Sequence, residues 1–260
     1  MLKERLEECY QCYNCREYVH PDPLEFLYPY SDPTDREVVA LISSSLAYGR
    51  VEQILKSVSW VLGNMGAPRQ FLMGTGRREM EHIFSGFKHR FTTDRDLALL
   101  LMGMAGTIKK YGSLYEAFLA GHSPSHDSFL PALSTFVENL SRKAGDWPTF
   151  LLPHPAKGGA CKRLHLFLRW MVRRDDVDPG GWEDLPASKL IVPLDTHMYR
   201  ISMLLGFTRY RQAHLKAALE VTRAFAQICP QDPVKYDFVL TRWGIRLDMT
   251  IEKLKEHMAL

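Results

Sequence analysis

No stretch of this sequence has the charged, apolar and small-residue order of a secretory leader. The longest apolar run, about Leu97 to Met104, is too short to cross a bilayer. Neither export nor a membrane span is expected, which places the protein in the cytoplasm. Strand signals are almost missing, since no segment sustains a period-two alternation of β-branched residues. Internal repeats and low-complexity segments are missing as well. Charge is close to balance: 33 Lys and Arg stand against 30 Asp and Glu, a net charge of +3. That falls short of the basic excess that alone would mark a nucleic-acid binder, so local clustering matters more than the total.

Cysteine is scarce and odd in number. Of five, Cys9, Cys12 and Cys15 form a C-x2-C-x2-C run, and Cys161 and Cys229 stand alone. An odd count in a cytoplasmic chain argues against disulfides. A tetrahedral metal site needs four ligands, and the nearest extra donor, His20, lies in a Pro-rich turn. The three are expected as small apolar residues of a first helix, with no metal bound.

What is present is an ordinary globular composition, 46% hydrophobic and 24% charged over 260 residues. Helical periodicity runs through most of it. A first helix spans Leu2 to about Arg16 and is broken by His20-Pro21-Asp22-Pro23. Thr34 and Glu37 have capping-box spacing before Val38, Val39, Leu41 and Ile42. Thr93-Asp94 can cap a strongly apolar helix from about Arg95 to Lys110. Later helices follow Ala160, Asp195 and Leu215, and Asp232-Pro233 carries N-cap and N1 residues in the favoured order. Arg174 to Ser188 reads as a polar loop. The expected fold is all-α, a single domain over 1–260 made of two helical lobes around a cleft.

Chemistry concentrates in the second half. Lys157-Gly158-Gly159 is a turn that opens a helix carrying Lys162, Arg163, Arg169, Arg173 and Arg174. Free N–H groups, the positive end of a helix dipole and flanking cations suit a phosphate backbone. The same residues also fit a solvated helix face. Lys162 sits in the first turn beside Arg163, surroundings that work against its ammonium form. A neutral lysine can attack an electrophilic carbon and form a Schiff base. Asp195 sits where aspartate commonly N-caps, and a carboxylate held ionised at a cleft edge can also stabilise positive charge on a sugar ring. Trp170, Trp182 and Trp243 are candidates for stacking on a base, or core filler.

Ala160-Cys161-Lys162-Arg163-Leu164 and Val192-Pro193-Leu194-Asp195-Thr196-His197-Met198-Tyr199-Arg200-Ile201 together resemble the signature of the helix-hairpin-helix DNA glycosylase superfamily. In that superfamily a Gly-rich hairpin precedes a lysine at a helix start, and a V-P-x-D-x-H segment leads into a later helix that ends near a Leu-Gly pair, here Leu205-Gly206. Over nearly its whole length the chain is similar to a bacterial family classed as domain of unknown function 2400, and within the superfamily to the 8-oxoguanine glycosylases, including the archaeal branch. The resemblance implies a helix-hairpin-helix element at about 145–174. It makes Lys162 the nucleophile at the anomeric carbon and Asp195 the carboxylate that stabilises the oxocarbenium-like transition state. Lys157, Gly158, Gly159, Arg163 and His197 would meet DNA phosphates. Ser43 to Arg50 resembles the segment that fills the gap left by an extruded base, with Tyr48 as the wedge and Arg50 toward the orphaned base. The hairpin lacks the usual G-x-G spacing, and a long insertion separates Lys162 from Asp195.

The implied activity is bifunctional, glycosylase and abasic-site lyase, on double-stranded DNA with a damaged base. The damaged base implied is 8-oxoguanine. The protein is expected to act as a monomer without a cofactor, since attack by an amine requires none. Two other classes fit the same residues: a non-catalytic DNA-binding module of this fold, and a Schiff-base enzyme acting on a small sugar or aldehyde.

Overall fold

A computed structural model describes residues 2–142, 150–246 and 248–258. Its helices are α1 (Leu2–Tyr13), α2 (Pro33–Ser45), α3 (Val51–Gly63), α4 (Pro68–Gly74), α5 (Arg77–Ile83), α6 (Asp94–Tyr111), α7 (Leu114–Leu119), α8 (Leu130–Ser141), α9 (Lys162–Val172), α10 (Thr196–Leu204), α11 (Leu215–Ile228), α12 (Asp237–Ile245) and α13 (Ile251–Met258). A two-strand ribbon, β1 (Lys88–His89) with β2 (Thr92–Thr93), is the only sheet among the described residues. The fold is all-α, as the periodicity predicts.

Helix α2 organises the molecule. Every residue from Glu37 to Ser45 is buried, the apolar run Val38 to Ile42 together with the polar Glu37, Ser43, Ser44 and Ser45, so the helix is enclosed on all sides. It packs on α9 and on the turn at 23–27 ahead of it, while α6, α7 and α8 pack on one another. Helices α10 and α12 pair, and α1 lies across α12 and α13. Where α2, α7, α8 and α9 meet, Trp182 packs against Phe118 and Phe167, with ring centroids 5.5 and 5.1 Å apart. No helix is long and apolar enough to cross a membrane among the described residues.

The strongest local signals hold. Thr93 caps α6 in a capping box with Asp96. Elsewhere tertiary contacts override the local pattern. Helix α2 is capped by Asp32, not Thr34, through a 2.7 Å bond from the Thr34 N–H. Glu37, expected to reach back to its own helix start, instead crosses to accept the N–H groups of Leu114 and Tyr115 at 2.7 and 3.0 Å and the Trp182 indole at 3.1 Å. These bonds tie α7 to the core. Burial still pushes its carboxyl up to about 7, against those three donors. Asp232-Pro233 opens a turn and not a helix: Asp232 Oδ1 accepts the Val234 N–H at 3.2 Å while its other oxygen bonds Arg173, and α12 begins only at Asp237.

The largest departure is the stretch read as a polar loop. Asp178 is fully buried and Asp175 partly so, its side chain 14% exposed, and both bond the buried Arg173. Arg173 Nε bonds Asp232 Oδ2 at 2.8 Å, one Nη bonds Asp175 at 2.8 Å and the other bonds Asp178. Arg169 bonds Asp178 at 3.0 Å and Asp237 at 2.5 Å. Burial works against both guanidinium charges, but the surrounding carboxylates outweigh it and hold both above their usual range.

Candidate active site

The backbone delivers Lys162 from one side. After the single turn at Pro155–Lys157, Gly158 takes a left-handed conformation (φ 78), and Cys161 takes another (φ 45) just before α9 begins. A non-glycine residue in that region costs roughly 1–3 kcal/mol, and such strain persists where the surroundings enforce it. Here Cys161 is buried, its thiol points at the Pro153 carbonyl at 3.6 Å, and burial pushes it up to about 11. It is not poised as a nucleophile. The residue presented at the helix start is Lys162.

Asp195 comes from the other side, as the N-cap of α10. It is extended, and its Oδ1 accepts the Met198 N–H at 2.8 Å. Its second oxygen, Oδ2, faces Lys162 Nζ at 3.6 Å. One carboxylate therefore caps a helix and confronts an amine at the same time. The pair is not sealed: the lysine side chain is 31% exposed and the aspartate 15%. At 3.6 Å the two are in ion-pair range without a normal hydrogen bond.

Both line a pocket of about 250 Å³. That lies just below the roughly 300–1,000 Å³ of drug-sized sites, and suits one base- or sugar-sized group. His197 also lines it, held by close packing on Gly244 of α12, where a Cβ would collide with the imidazole. Gly49 and Val51 line it as well; Arg50 between them is exposed and in no ion pair among the described residues, and does not itself line the pocket.

Sequence reasoning missed the far wall. Asp237 lines the pocket while 2% exposed; one oxygen holds Arg169, and the other has no hydrogen-bond partner among the described residues. Burial pushes its carboxyl up to about 6, with Arg169 opposing and Asp195 reinforcing the rise. Arg242, bonded to Asp22 Oδ2 at 2.7 Å, lines the pocket beside it. The first position of a helix was the one local signal for Asp237, and it says nothing about a pocket.

Other expected contact residues lie apart from the pocket. Lys157, Gly158 and Gly159 form an exposed turn that does not line it. The N–H groups of Lys157 and Gly158 are already bonded to the carbonyls of His154 and Pro155, so they are not free for an anion. Arg163 turns inward: it donates to the carbonyls of Ser45 and Phe150, and its guanidinium lies 4.9 Å from the ring centres of both Tyr48 and Phe150. Burial lowers it to about 10. Tyr48 is half-buried, its hydroxyl 2.6 Å from both His89 O and Thr92 Oγ1. Two exposed aromatics lie nearby: Phe150, 45% exposed and edge-on to Tyr48 at 4.9 Å, and Phe91, 69% exposed at the ribbon tip and edge-on to Phe150 at 5.5 Å. Trp170 and Trp243 are both core residues and neither lines the pocket. Among the described residues no group of three or more metal-ligating side chains converges, and Cys9 is buried while Cys12 is exposed.

No curated protein and no solved structure matches the chain. A family model described as "Protein of unknown function (DUF2400)" matches residues 22–246, and the chain belongs to that family.

Proposed function

We propose that this protein is a DNA glycosylase with abasic-site lyase activity, of the helix-hairpin-helix kind, that removes a damaged base, 8-oxoguanine, from duplex DNA. The observation that carries the proposal is the convergence of Lys162 and Asp195, 3.6 Å apart and solvent-accessible, at a pocket sized for one base or sugar. A Gly-containing turn before Lys162 and the placement of Asp195 at a later helix start fit the same scheme. Of the helix-hairpin-helix region, 143–149 lie outside the described residues.

In this scheme the Nζ of Lys162 gives up a proton and bonds C1′ of the extruded nucleotide while the bond from C1′ to the base nitrogen breaks. The base leaves with the bonding pair and takes up a proton. Positive charge develops on the sugar ring in the transition state, where the ionised Asp195 carboxylate stabilises it. Ring opening then gives an imine to Lys162, and loss of a proton from C2′ expels the 3′ phosphate. Asp195 serves best here if its charge matters more in the transition state than in the bound ground state. With the Tyr48 hydroxyl tied down, Phe91, more exposed than its neighbour Phe150, is the aromatic we assign to the base stack. Such a protein would work as a monomer in the cytoplasm.

Incubation with duplexes carrying a panel of single damaged bases tests the proposal. Release of 8-oxoguanine with strand cleavage 3′ to the lesion is expected. Salt-sensitive binding without release of any base would reduce the protein to a DNA-binding module.

A further inference from the structure

Two segments of the chain carry no acidic residue at all, Phe150 to Arg174 and Thr196 to Leu219. In a protein near charge balance, such stretches set the local potential. The fold brings them together. Gly159 forms a bridge with His214, and the Leu215 N–H donates to the Gly158 carbonyl at 3.0 Å. The loop between α10 and α11 thus leans on the turn that precedes Lys162.

That loop is rigidly held. Tyr199, one turn into α10 from Asp195, donates its hydroxyl to the Tyr210 carbonyl at 2.7 Å. Thr208 bonds Glu220 at 2.6 Å and accepts the Tyr210 N–H at 3.2 Å. His214 caps α11 through the Ala217 N–H at 3.2 Å, and its ring meets that of Tyr210 at 4.7 Å. These contacts fix the backbone. The cations it carries, Arg209 and Arg211, are exposed, as are Lys216 in the first turn of α11 and Arg200 and Lys157 alongside. None of the five is in an ion pair among the described residues.

The contrast with Arg169 and Arg173 is direct, because those guanidinium groups are consumed by carboxylates. Cations left without acids on a pre-ordered loop suit a partner that supplies regularly spaced negative charge, and screening confines the attraction to roughly 10 Å. We propose that the 206–214 loop and the first turn of α11, braced against the Gly158-Gly159 turn beside the Lys162–Asp195 pocket, form a phosphate-binding arm that grips the backbone of duplex DNA. The arm rests on the nucleic-acid reading of the pocket and adds contacts that the turn alone, with two N–H groups already used, does not supply.

The test is binding of an undamaged duplex over a salt series, compared between the wild-type chain and Arg209→Gln/Arg211→Gln/Lys216→Gln. Each lost phosphate contact should flatten the plot of log affinity against log salt by about 0.9, so the triple variant should lose about 2 to 3 from the slope and at least about tenfold in affinity. Arg78→Gln/Lys109→Gln/Lys253→Gln, an equal charge change at exposed positions on α5, α6 and α13, should keep the wild-type slope. Equal slopes for wild type and the first triple variant, or equal losses in both triple variants, would overturn the arm and leave the pocket chemistry standing. Wild-type binding to anionic phospholipid vesicles but not to duplex would overturn the arm and the DNA reading together. A normal slope loss with no base released from any lesion would keep the arm and remove the glycosylase.

Discussion

Along its length α9 holds Arg169, with Arg173 just past its end, both enclosed by Asp175, Asp178, Asp232 and Asp237 at hydrogen-bond distance. Its first residue, Lys162, faces a single carboxylate at 3.6 Å in a half-open pocket. The first assembly is closely paired and buried at Arg169, Arg173, Asp178 and Asp237, opening to solvent only at Asp175 and Asp232; the second is loosely paired, with its lysine 31% exposed. A buried, paired cluster costs desolvation and returns it through geometry, so it holds segments in place. A loose pair at a pocket can still exchange partners. The same helix thus separates charge enclosed in the fold from charge left accessible at a pocket, and Arg169 and Asp237, which bond each other and line that pocket, join the two.

Removing the reactive amine should have the largest effect. Lys162→Gln should lower base release by at least about 1,000-fold while shifting stability by less than about 1 kcal/mol, read by single-turnover kinetics and thermal melting. A large stability loss would place Lys162 in the structural class instead. Arg173→Met should show the opposite pattern: by leaving buried carboxylates unpaired, it should cost about 3–5 kcal/mol in a denaturant titration.

Asp195→Asn separates the two tasks of that residue, because asparagine still caps a helix. Base release should fall about 100-fold or more with duplex affinity nearly unchanged, and stability should drop by well under 1 kcal/mol. Equal losses of affinity and rate would make Asp195 a cap alone.

A pH experiment probes the dry interior of α9 itself. His165 is fully buried, its Nε2 has no partner among the described residues, and burial lowers it to about 4. The folded chain therefore leaves it neutral where the unfolded chain, near 6.5, protonates it. Its contribution is intact above about pH 6.5 and is lost as the pH falls toward 4, by about 3 kcal/mol. His165→Leu should lose correspondingly less stability over that range, and an unchanged acid profile would refute the account. The smallest effect concerns Phe91: Phe91→Ala should slow base release from duplex about tenfold, yet spare strand cleavage at a preformed abasic site in a single strand.

Much of this was legible in the sequence, for identifiable reasons. Thr93 and Asp195 announce helix starts because capping is local, and the all-α class follows from periodicity. Lys162 and Asp195 could be singled out together only through the resemblance of their two motifs to the glycosylase signature, since each alone reads as an ordinary first-turn lysine and a helix cap. Glu37, Asp178 and Asp237 could not be read that way. Periodicity shows which face of a helix is apolar, but not which charges on distant segments meet inside the core. Glu37 has capping-box spacing and bonds another helix, while Asp178 sits in a Gly-rich loop and is the most enclosed acid of a buried cluster. Arg163 and Tyr48 show the same limit in reverse, since their types suit DNA and their side chains are occupied within the protein.

The most direct test of the central claim is borohydride reduction during incubation with an 8-oxoguanine duplex, followed by peptide mapping of any cross-linked product. A covalent protein–DNA species carrying the DNA on the Lys162 peptide, and absent from Lys162→Gln, is the expected result. A cross-link on another lysine, or none under conditions where base is released, would contradict the assignment of Lys162 as the nucleophile.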